Sequence, residues 1–292
     1  MSVLRPEVDL HMHTSYSDGA DTPRELVAKA AAQGLRSIAI TDHDTLAALP
    51  EALEAGQAYG VEVLAGIELT IQYQHYDDIH MLAYGFDPND PALCARLAAV
   101  QQHRLQRGVD MLVRINQVLS QRGKTGLDSA HVIHSARGAL TRPHLAQALI
   151  AAGYASSVQQ AFEQFLIPCN VPKAALGPEE AFALIAAAGG VCCLAHPGTL
   201  SPEPARLESL IGALTALGLV GLEVYHHCHH PDRLAFFQDC AWRYDLVATG
   251  GSDYHGRPEG ALLGYYAPGV MIPSHVLSDL RQAQRQTLRE SS

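Results

Sequence analysis

The sequence predicts an α/β fold: a parallel sheet with crossover helices, closed or nearly closed into a barrel and interrupted by a helical insertion. Three observations predict it. Short apolar runs alternate with helical segments near both ends of the chain. The stretch between them loses its strands. Histidines and acidic residues gather where the apolar runs stop, the point at which the strands of a parallel barrel open onto a common face.

The elements follow in order. Val8 to Met12 reads as a short strand, and in "VDLHMH" the imidazoles of His11 and His13 fall on one face because side chains alternate. "DTPRELVAKAAAQG" is a helix, with Thr22 as N-cap, Pro23 at the first position, Glu25 completing a capping box and Gly34 as the stop. "RSIAITDHDT" is a buried strand ending at Asp42 and His43, and residues 45–59 read as helix. "VEVLAGIELT" and "IHMLAYGF" are strands carrying Glu68 and His80, the latter inside its strand. From Pro88 to Leu166 the periodicity is helical, in "LAAVQQHRLQRGVDMLVRINQVLSQRG", "RPHLAQALIAAG" and "SSVQQAFEQFL". Alternation then returns. "GPEEAFALIAAAGG" is a helix stopped at Gly189, "VCCLAHPG" a strand ending at His196, "PARLESLIGALTALG" a helix and "LVGLEVYHH" a strand. "PDRLAFFQDCAWRYD" is a helix, "LVATGGSDYHG" a strand ending at Asp253 and His255, and the last dozen residues a frayed helix. The chain of 292 residues thus reads as one domain, with a barrel from 1–87 and 169–292 and a helical insertion at 88–168 placed to cap the barrel.

Composition narrows the function classes. The net charge of −10 opposes coating by extended nucleic acid, which needs a basic face, but leaves room for a small phosphorylated ligand and a local cluster of cations. No apolar run reaches membrane-spanning length, and "MSVLRPEVDL" lacks a signal-type apolar stretch, so the expected setting is cytoplasmic. The six cysteines form no CxxC and read as reduced core residues, with Cys192 and Cys193 on opposite faces of a strand. No obligate protein partner is evident.

Sixteen histidines are the anomaly. A single buried histidine is commonly a satisfied core residue. Recurrence at strand end after strand end, at His11, His13, His43, Glu68, His196, Asp253 and His255, is not explained by independent core packing. The donors are imidazole and carboxylate without thiolate, which suits Mn²⁺, Fe²⁺, Zn²⁺ or Mg²⁺ over a structural cysteine–zinc site. They exceed what one ion needs, so two to three divalent ions are expected, Mn²⁺ first.

In order along the chain, "DLHMHTSYSDG", "AITDHDT", "GIELT", "LAHPG" and "GGSDYHG" resemble the motifs of the PHP (polymerase and histidinol phosphatase) family of the amidohydrolase superfamily. The resemblance implies a distorted (β/α)7 barrel and three metal ions. It implies one ion on His11, His13, Glu68 and Asp253, a second on Glu68, His80 and His196, and a third on Asp18, His43 and His255. Polymerase-associated members that have lost catalysis lack some of these ligands, so the complete set points to an active enzyme.

Such a site activates water at neutral pH and offsets the charge that shields a phosphate monoester from attack. The expected reaction is in-line attack of hydroxide on phosphorus, with Asp18 serving the third ion and His43 or His255 assisting the leaving oxygen. Substrate contacts are expected from Asp18 and His43 themselves, and from Arg104 and Arg107, three apart on one helix face. Arg142 and His144 sit at a helix start, which favours anions, and the resemblance places a like Arg-Pro-His segment beside the active site. Lys173, His134 and His226 complete the expected contacts, with His226 in a rim loop, "YHHCHHPD", whose remaining histidines are solvated. The compact barrel and "TRPHLAQALIAAGY" resemble the nucleotide-directed branch, which implies hydrolysis of the 3′-phosphate of a 3′,5′-nucleoside bisphosphate such as adenosine 3′,5′-bisphosphate. Alternatives are a 5′→3′ exoribonuclease on short RNA, a histidinol-phosphate-type phosphatase and an amidohydrolase-type C–N or lactone hydrolase.

Overall fold

The computed structural model describes residues 5–135, 140–172, 176–257 and 260–290. Lys173 lies outside the described residues. Seven strands form one sheet in sequence order: β1 (Val8–Asp9), β2 (Ser37–Ile40), β3 (Glu62–Tyr73), β4 (Tyr76–Tyr84), β5 (Val191–Leu194), β6 (Gly221–Tyr225) and β7 (Val247–Gly250). The sheet curls until its ends meet. Beyond β1 and β7, His13 donates its N–H to the Tyr254 carbonyl at 2.9 Å, and Asp253 donates to His11 at 2.9 Å. The barrel is thus nearly closed, by a seam made of the two segments richest in candidate ligands.

The helices α1 (Pro23–Gln33), α2 (Leu49–Tyr59), α7 (Pro178–Ala187), α8 (Pro204–Leu217) and α9 (Pro231–Arg243) wrap the barrel. The first is built as the sequence indicates, with the Thr22–Glu25 capping box and Gly34 in the left-handed region at φ 101°. The second starts at Leu49, not at residue 45, with Pro50 in its first turn.

The all-parallel expectation is corrected at β4, which runs antiparallel to both β3 and β5. The sequence shows two strands separated by a polar run, "QYQHYDD", that reads as a loop. In the structure both strands extend through that run until only Gln74 and His75 link them. A two-residue link permits only a hairpin, because a parallel neighbour needs a crossover. Reversal also explains His80: β4 meets the ligand-bearing end of the barrel from its own first half, with His80 opposite Thr70.

The insertion comprises α3 (Pro91–Gln121), α4 (Ser129–Ser135), α5 (Arg142–Ala151), α6 (Val158–Ala161) and a π-helical turn at Phe162–Leu166 where an ordinary helix was expected. Its apolar centre, including Met111, Leu112, Ile115, Leu145, Leu149 and Phe165, is separate from the barrel cores. The first part of α3 belongs to the barrel, since Leu93, Leu97 and Val100 pack into the main core. Gly108 lets the segment before α5 approach closely: a Cβ there would lie 2.4 Å from the Leu140 carbonyl oxygen. That approach brings Arg142 over the barrel mouth.

Two further corrections concern the chain's end and its thiols. A hairpin of β8 (Tyr265–Ala267) and β9 (Val270–Met271), which the sequence reading lacked, precedes α10 (His275–Glu290), whose first turns dock through buried Val276, Leu277 and Leu280. Cys192 and Cys193 do enter different apolar clusters on opposite faces, whereas Cys94 is exposed and Cys228 half-buried. Among the described residues no helix is long and apolar enough to cross a membrane.

Candidate active site

The first strand and its continuation carry three inward polar residues at period two: Asp9, His11 and His13, none with any solvent exposure. Asp9 is a structural clamp, accepting from the N–H groups of Ser252 at 2.9 Å and Gly264 at 2.8 Å. Burial pushes its carboxyl up to about 6. Gly251 is required beside it, since a Cβ at that position would fall 2.1 Å from the His11 Cβ.

Four donor atoms converge next to this strand. His11 Nε2 and His13 Nε2 are 3.1 Å apart. Glu68 Oε2 lies 3.4 and 3.2 Å from them, and Asp253 Oδ1 3.3 and 3.2 Å. Glu68 reaches the other way with Oε1, 2.9 Å from His80 Nδ1 and 3.0 Å from His196 Nε2. A third group gathers on Asp18, whose Oδ1 is 3.2 Å from His255 Nε2 and 3.8 Å from His43 Nε2. His43 is set level with Glu68 by ladder hydrogen bonds running past the strand ends, Asp44 N–H to the Glu68 carbonyl at 2.9 Å among them. The backbone is strained at Asp44, His196 and Asp253, with φ of 51°, 25° and 56°.

This arrangement fits divalent cations. Asp18 Oδ1, His43 Nδ1, Glu68 Oε2 and His80 Nδ1 are buried with no partner in hydrogen-bonding geometry among the described residues, their close neighbours being the other candidate ligands. A protein core does not ordinarily tolerate that condition. The donors are the imidazole and carboxylate groups such ions take. Protonation states carry the same message. Burial alone would lower the His13 imidazole, yet Asp253 and Glu68 lift it to about 10; Glu68 and Asp78 likewise outweigh burial and lift His80 to about 9. At His43 burial, with His13 and His80 beside it, outweighs Glu68 and Asp18 and holds the imidazole neutral, down at about 3. Against the upward push of burial, His255, His43 and His13 keep Asp18 well below the usual carboxylate range.

Several supporting residues escaped the sequence reading. Asp42 accepts from the Thr14 N–H at 2.7 Å, the Thr14 hydroxyl at 2.6 Å and the Ser17 hydroxyl at 2.6 Å, fixing the loop that carries Asp18. Glu223, fully buried on β6, lies 2.9 Å from His11 Nδ1. In the "YHHCHHPD" tract His227 and His230 are exposed, as expected of a rim, and the expectation is corrected at His229, which is buried. His226 is buried, with Nε2 3.6 Å from Asp253 Oδ2 and Nδ1 2.9 Å from Cys228 Sγ. His229 donates Nδ1–H to the Val224 carbonyl at 2.8 Å and accepts the Gly198 N–H at 3.1 Å.

Beside the cluster a pocket is lined by Asp18, His43, His80, His103, Arg104, Arg107 and Arg142, among others. Arg104 ion-pairs with the Asp44 carboxylate and donates to the His43 carbonyl at 3.3 Å. Arg107 donates to the Val171 carbonyl at 2.6 Å and to Asn170 Oδ1 at 2.8 Å. Arg142 lies over the Phe162 ring at 5.5 Å, with Asp78 3.8 Å away. Burial first, then Arg142 and Arg104, lower the Arg107 guanidinium. His103, one helical turn before Arg107, was the signal overlooked there. On the opposite side of Asp18 a second cleft is lined by Ser15, Pro143, His144, Gln147, Val158, Phe162 and Arg257. His144 accepts the Thr141 N–H at 3.2 Å as part of a helix cap. His134 is exposed on α4 and lines neither cleft.

The family model described as "PHP domain" matches residues 9–166. The chain is 33% identical over 257 residues to the 3′,5′-nucleoside bisphosphate phosphatase of Chromobacterium violaceum, a match covering 87% of this chain and 88% of that one. It is 31% identical over 254 residues to the phosphoribosyl 1,2-cyclic phosphate 1,2-diphosphodiesterase of Eggerthella lenta, covering 85% and 94%. A solved structure of an amidohydrolase from Chromobacterium violaceum, with bound sulfate and no metal, superposes with a TM-score of 0.80 at 30% identity, covering 95% of this chain and 96% of that one.

Proposed function

The chain belongs to the PHP domain family and is a metal-dependent phosphoesterase; from that premise we propose that it removes the 3′-phosphate of a 3′,5′-nucleoside bisphosphate to leave the 5′-mononucleotide. One observation carries the substrate reading. Arg104, Arg107 and Arg142 line a pocket that opens directly onto Asp18, His43 and His80. Arg104 pairs with Asp44 and Asp78 lies 3.8 Å from Arg142, while Arg107 donates to neutral oxygens. Three guanidinium groups thus face two carboxylates, and the pocket keeps a positive charge that a ligand anion would offset. The scissile phosphate belongs at the imidazole–carboxylate cluster, so the arginines are there for a second phosphate that does not react.

The two clefts share Asp18 and Pro143 and diverge from them. A nucleoside bisphosphate has the same branched shape, with base and 5′-phosphate departing from one ribose. The arginine pocket suits the 5′-phosphate. The cleft of Phe162, Val158 and Gln147 suits the base, an aromatic surface with hydrogen-bonding edges.

Three cations, Mn²⁺ the first choice for this donor set, would be held by His11, His13, Glu68 and Asp253, by Glu68, His80 and His196, and by Asp18, His43 and His255. When bound they supply charge neutralisation and a water acidic enough to attack at neutral pH. The residues do the rest. Glu68 lies between two groups of imidazoles and fixes their spacing, and Asp42 holds the Asp18 loop. His43, kept neutral by burial, suits a cation ligand rather than a proton donor. The arginines anchor the far end of the substrate and thereby orient its 3′-phosphate.

The test is phosphate release from adenosine 3′,5′-bisphosphate, adenosine 3′-phosphate and adenosine 5′-phosphate by Mn²⁺-loaded protein. The bisphosphate should yield one phosphate and the 5′-mononucleotide, with kcat/KM at least about 10-fold above either monophosphate, as one lost charged contact implies. A preference for 5′-phosphorylated short RNA, a cyclic ribose phosphate or histidinol phosphate would overturn the substrate while leaving the reaction class intact.

A further inference from the structure

Glu223 is a carboxylate with no solvent exposure, on the inward face of β6, and its two oxygens serve two different arms of the site. Oε1 lies 2.9 Å from His11 Nδ1, and Oε2 accepts the backbone N–H of His196 at 2.7 Å. We propose that Glu223 is a positioning residue that fixes the ligand edge of His11 and the aim of His196 together, coupling the two halves of the centre that meet on Glu68. The inference rests on the reading of the imidazole–carboxylate cluster as a cation site.

A carboxylate only accepts hydrogen bonds, and a neutral imidazole carries a single N–H. Facing Glu223, His11 must therefore place its proton on Nδ1. The lone pair is then on Nε2, the edge facing His13 Nε2, Glu68 Oε2 and Asp253 Oδ1. With the proton on the other nitrogen, an N–H would point into the convergence point and exclude a cation from it.

The second oxygen acts through the backbone. His196 has φ 25°, a conformation that residues with side chains seldom adopt, and it must be held there. Glu223 holds its N–H, while its carbonyl accepts the Thr199 hydroxyl at 2.9 Å and the Thr199 N–H at 3.0 Å. So held, His196 directs Nε2 to Glu68 Oε1 at 3.0 Å. A buried carboxylate with no such task would be replaced by an apolar side chain at no loss of stability. Here both oxygens end on candidate ligands of different cations, and Glu68 closes the loop between them.

The substitution Glu223→Gln tests this, because it keeps size and removes one acceptor. Its amide oxygen can satisfy only one of the two donors, and its NH2 group confronts the other. The Zn²⁺ dissociation constant of Glu223→Gln should rise about 10- to 100-fold, the usual penalty for losing a group that orients a metal-binding imidazole. In Zn²⁺-loaded wild-type protein, nitrogen NMR should show His11 protonated at Nδ1. A strongly downfield Nδ1–H proton, the mark of a hydrogen bond to a carboxylate, ties that tautomer to Glu223, and its absence would overturn the proposal. The reading needs no variant and stands even where Glu223→Gln fails to fold. Wild-type His11 protonated at Nε2, or unchanged Zn²⁺ affinity in a folded Glu223→Gln protein, would overturn the proposal alone. Failure of the wild-type protein to bind Zn²⁺ would instead overturn the cation-site reading, and the proposal with it.

Discussion

Asp18 Oδ1 lies 3.2 Å from His255 Nε2, joining the loop after the first strand to the loop after the last. The contact is made possible by the barrel seam, where Asp253 and Tyr254 pair with His11 and His13. His43 Nε2 approaches the same oxygen at 3.8 Å. Asp18 is thus the one anion of its group, and Asp18→Asn should remove a single bound cation while the His11–His13 and His80–His196 groups keep theirs. Elemental analysis should show one ion fewer per chain, and kcat on the bisphosphate should fall about 100-fold or more, the scale of losing a preorganised charge at the reacting phosphate. An unchanged metal count would disprove the grouping.

Arg142 is the most replaceable of the three pocket arginines, since Arg104 and Arg107 also hold the barrel mouth and the Asn170–Val171 segment in place. Arg142→Ala should raise KM for a 3′,5′-bisphosphate about 10- to 100-fold, the range of a charge-assisted hydrogen bond, and should change KM for a 3′-monophosphate little. Equal effects on both substrates would place the second phosphate elsewhere.

Most of the candidate ligands were legible because they stand at the end of an apolar run, where a barrel strand must emerge. His80, inside its strand, and Asp18, in a loop, were reached through the family resemblance. Asp9 was equally visible, being at period two with His11 and His13, but an acid at a strand start reads as solvated until the backbone N–H groups of Ser252 and Gly264 are seen to fill it. Glu223 stood alone in "GLEVY", and only its partners, distant in sequence, show why an acid is buried there. The reversal of β4 was hidden because the hairpin tip is polar, and polar strand residues look like loop. The burial of His226 and His229 within "YHHCHHPD" was hidden for the opposite reason. Histidine density suggested water, while the backbone of Val224, Gly198 and Ser252 supplies the polar partners instead.

Phe162 opens the π-helical turn and lines the second cleft, with the Arg142 guanidinium over its ring. Such turns place one side chain out of register with the helix before it, and are common at binding sites. Phe162→Ala should weaken nucleoside bisphosphates about 5- to 10-fold in kcat/KM, in line with a lost stacking contact of ~1 kcal/mol. A ribose bisphosphate lacking a base should be unaffected. Equal loss on both compounds would show that Phe162 acts through Arg142 and not on the base.

The imidazoles make stability depend on pH in the absence of cations and not in their presence. In metal-free protein, carboxylates hold His13 at about 10 and His80 at about 9 against the downward push of burial, both above the ordinary 6.5. A group whose folded value is raised stabilises the fold in full below its unfolded value, and loses that contribution as pH climbs through the folded one. The Tm of EDTA-treated protein should therefore decline between about pH 7 and 10. Cations require the same imidazoles neutral, so loading at pH 7 must expel their protons. Cation affinity should climb with pH over that interval, the Tm of Mn²⁺-loaded protein should hold steady, and an indicator dye should register proton release on mixing. Parallel Tm profiles with and without Mn²⁺, or loading without proton release, would show that His13 and His80 are not ligands, since no cation can displace a proton from an imidazole it does not touch.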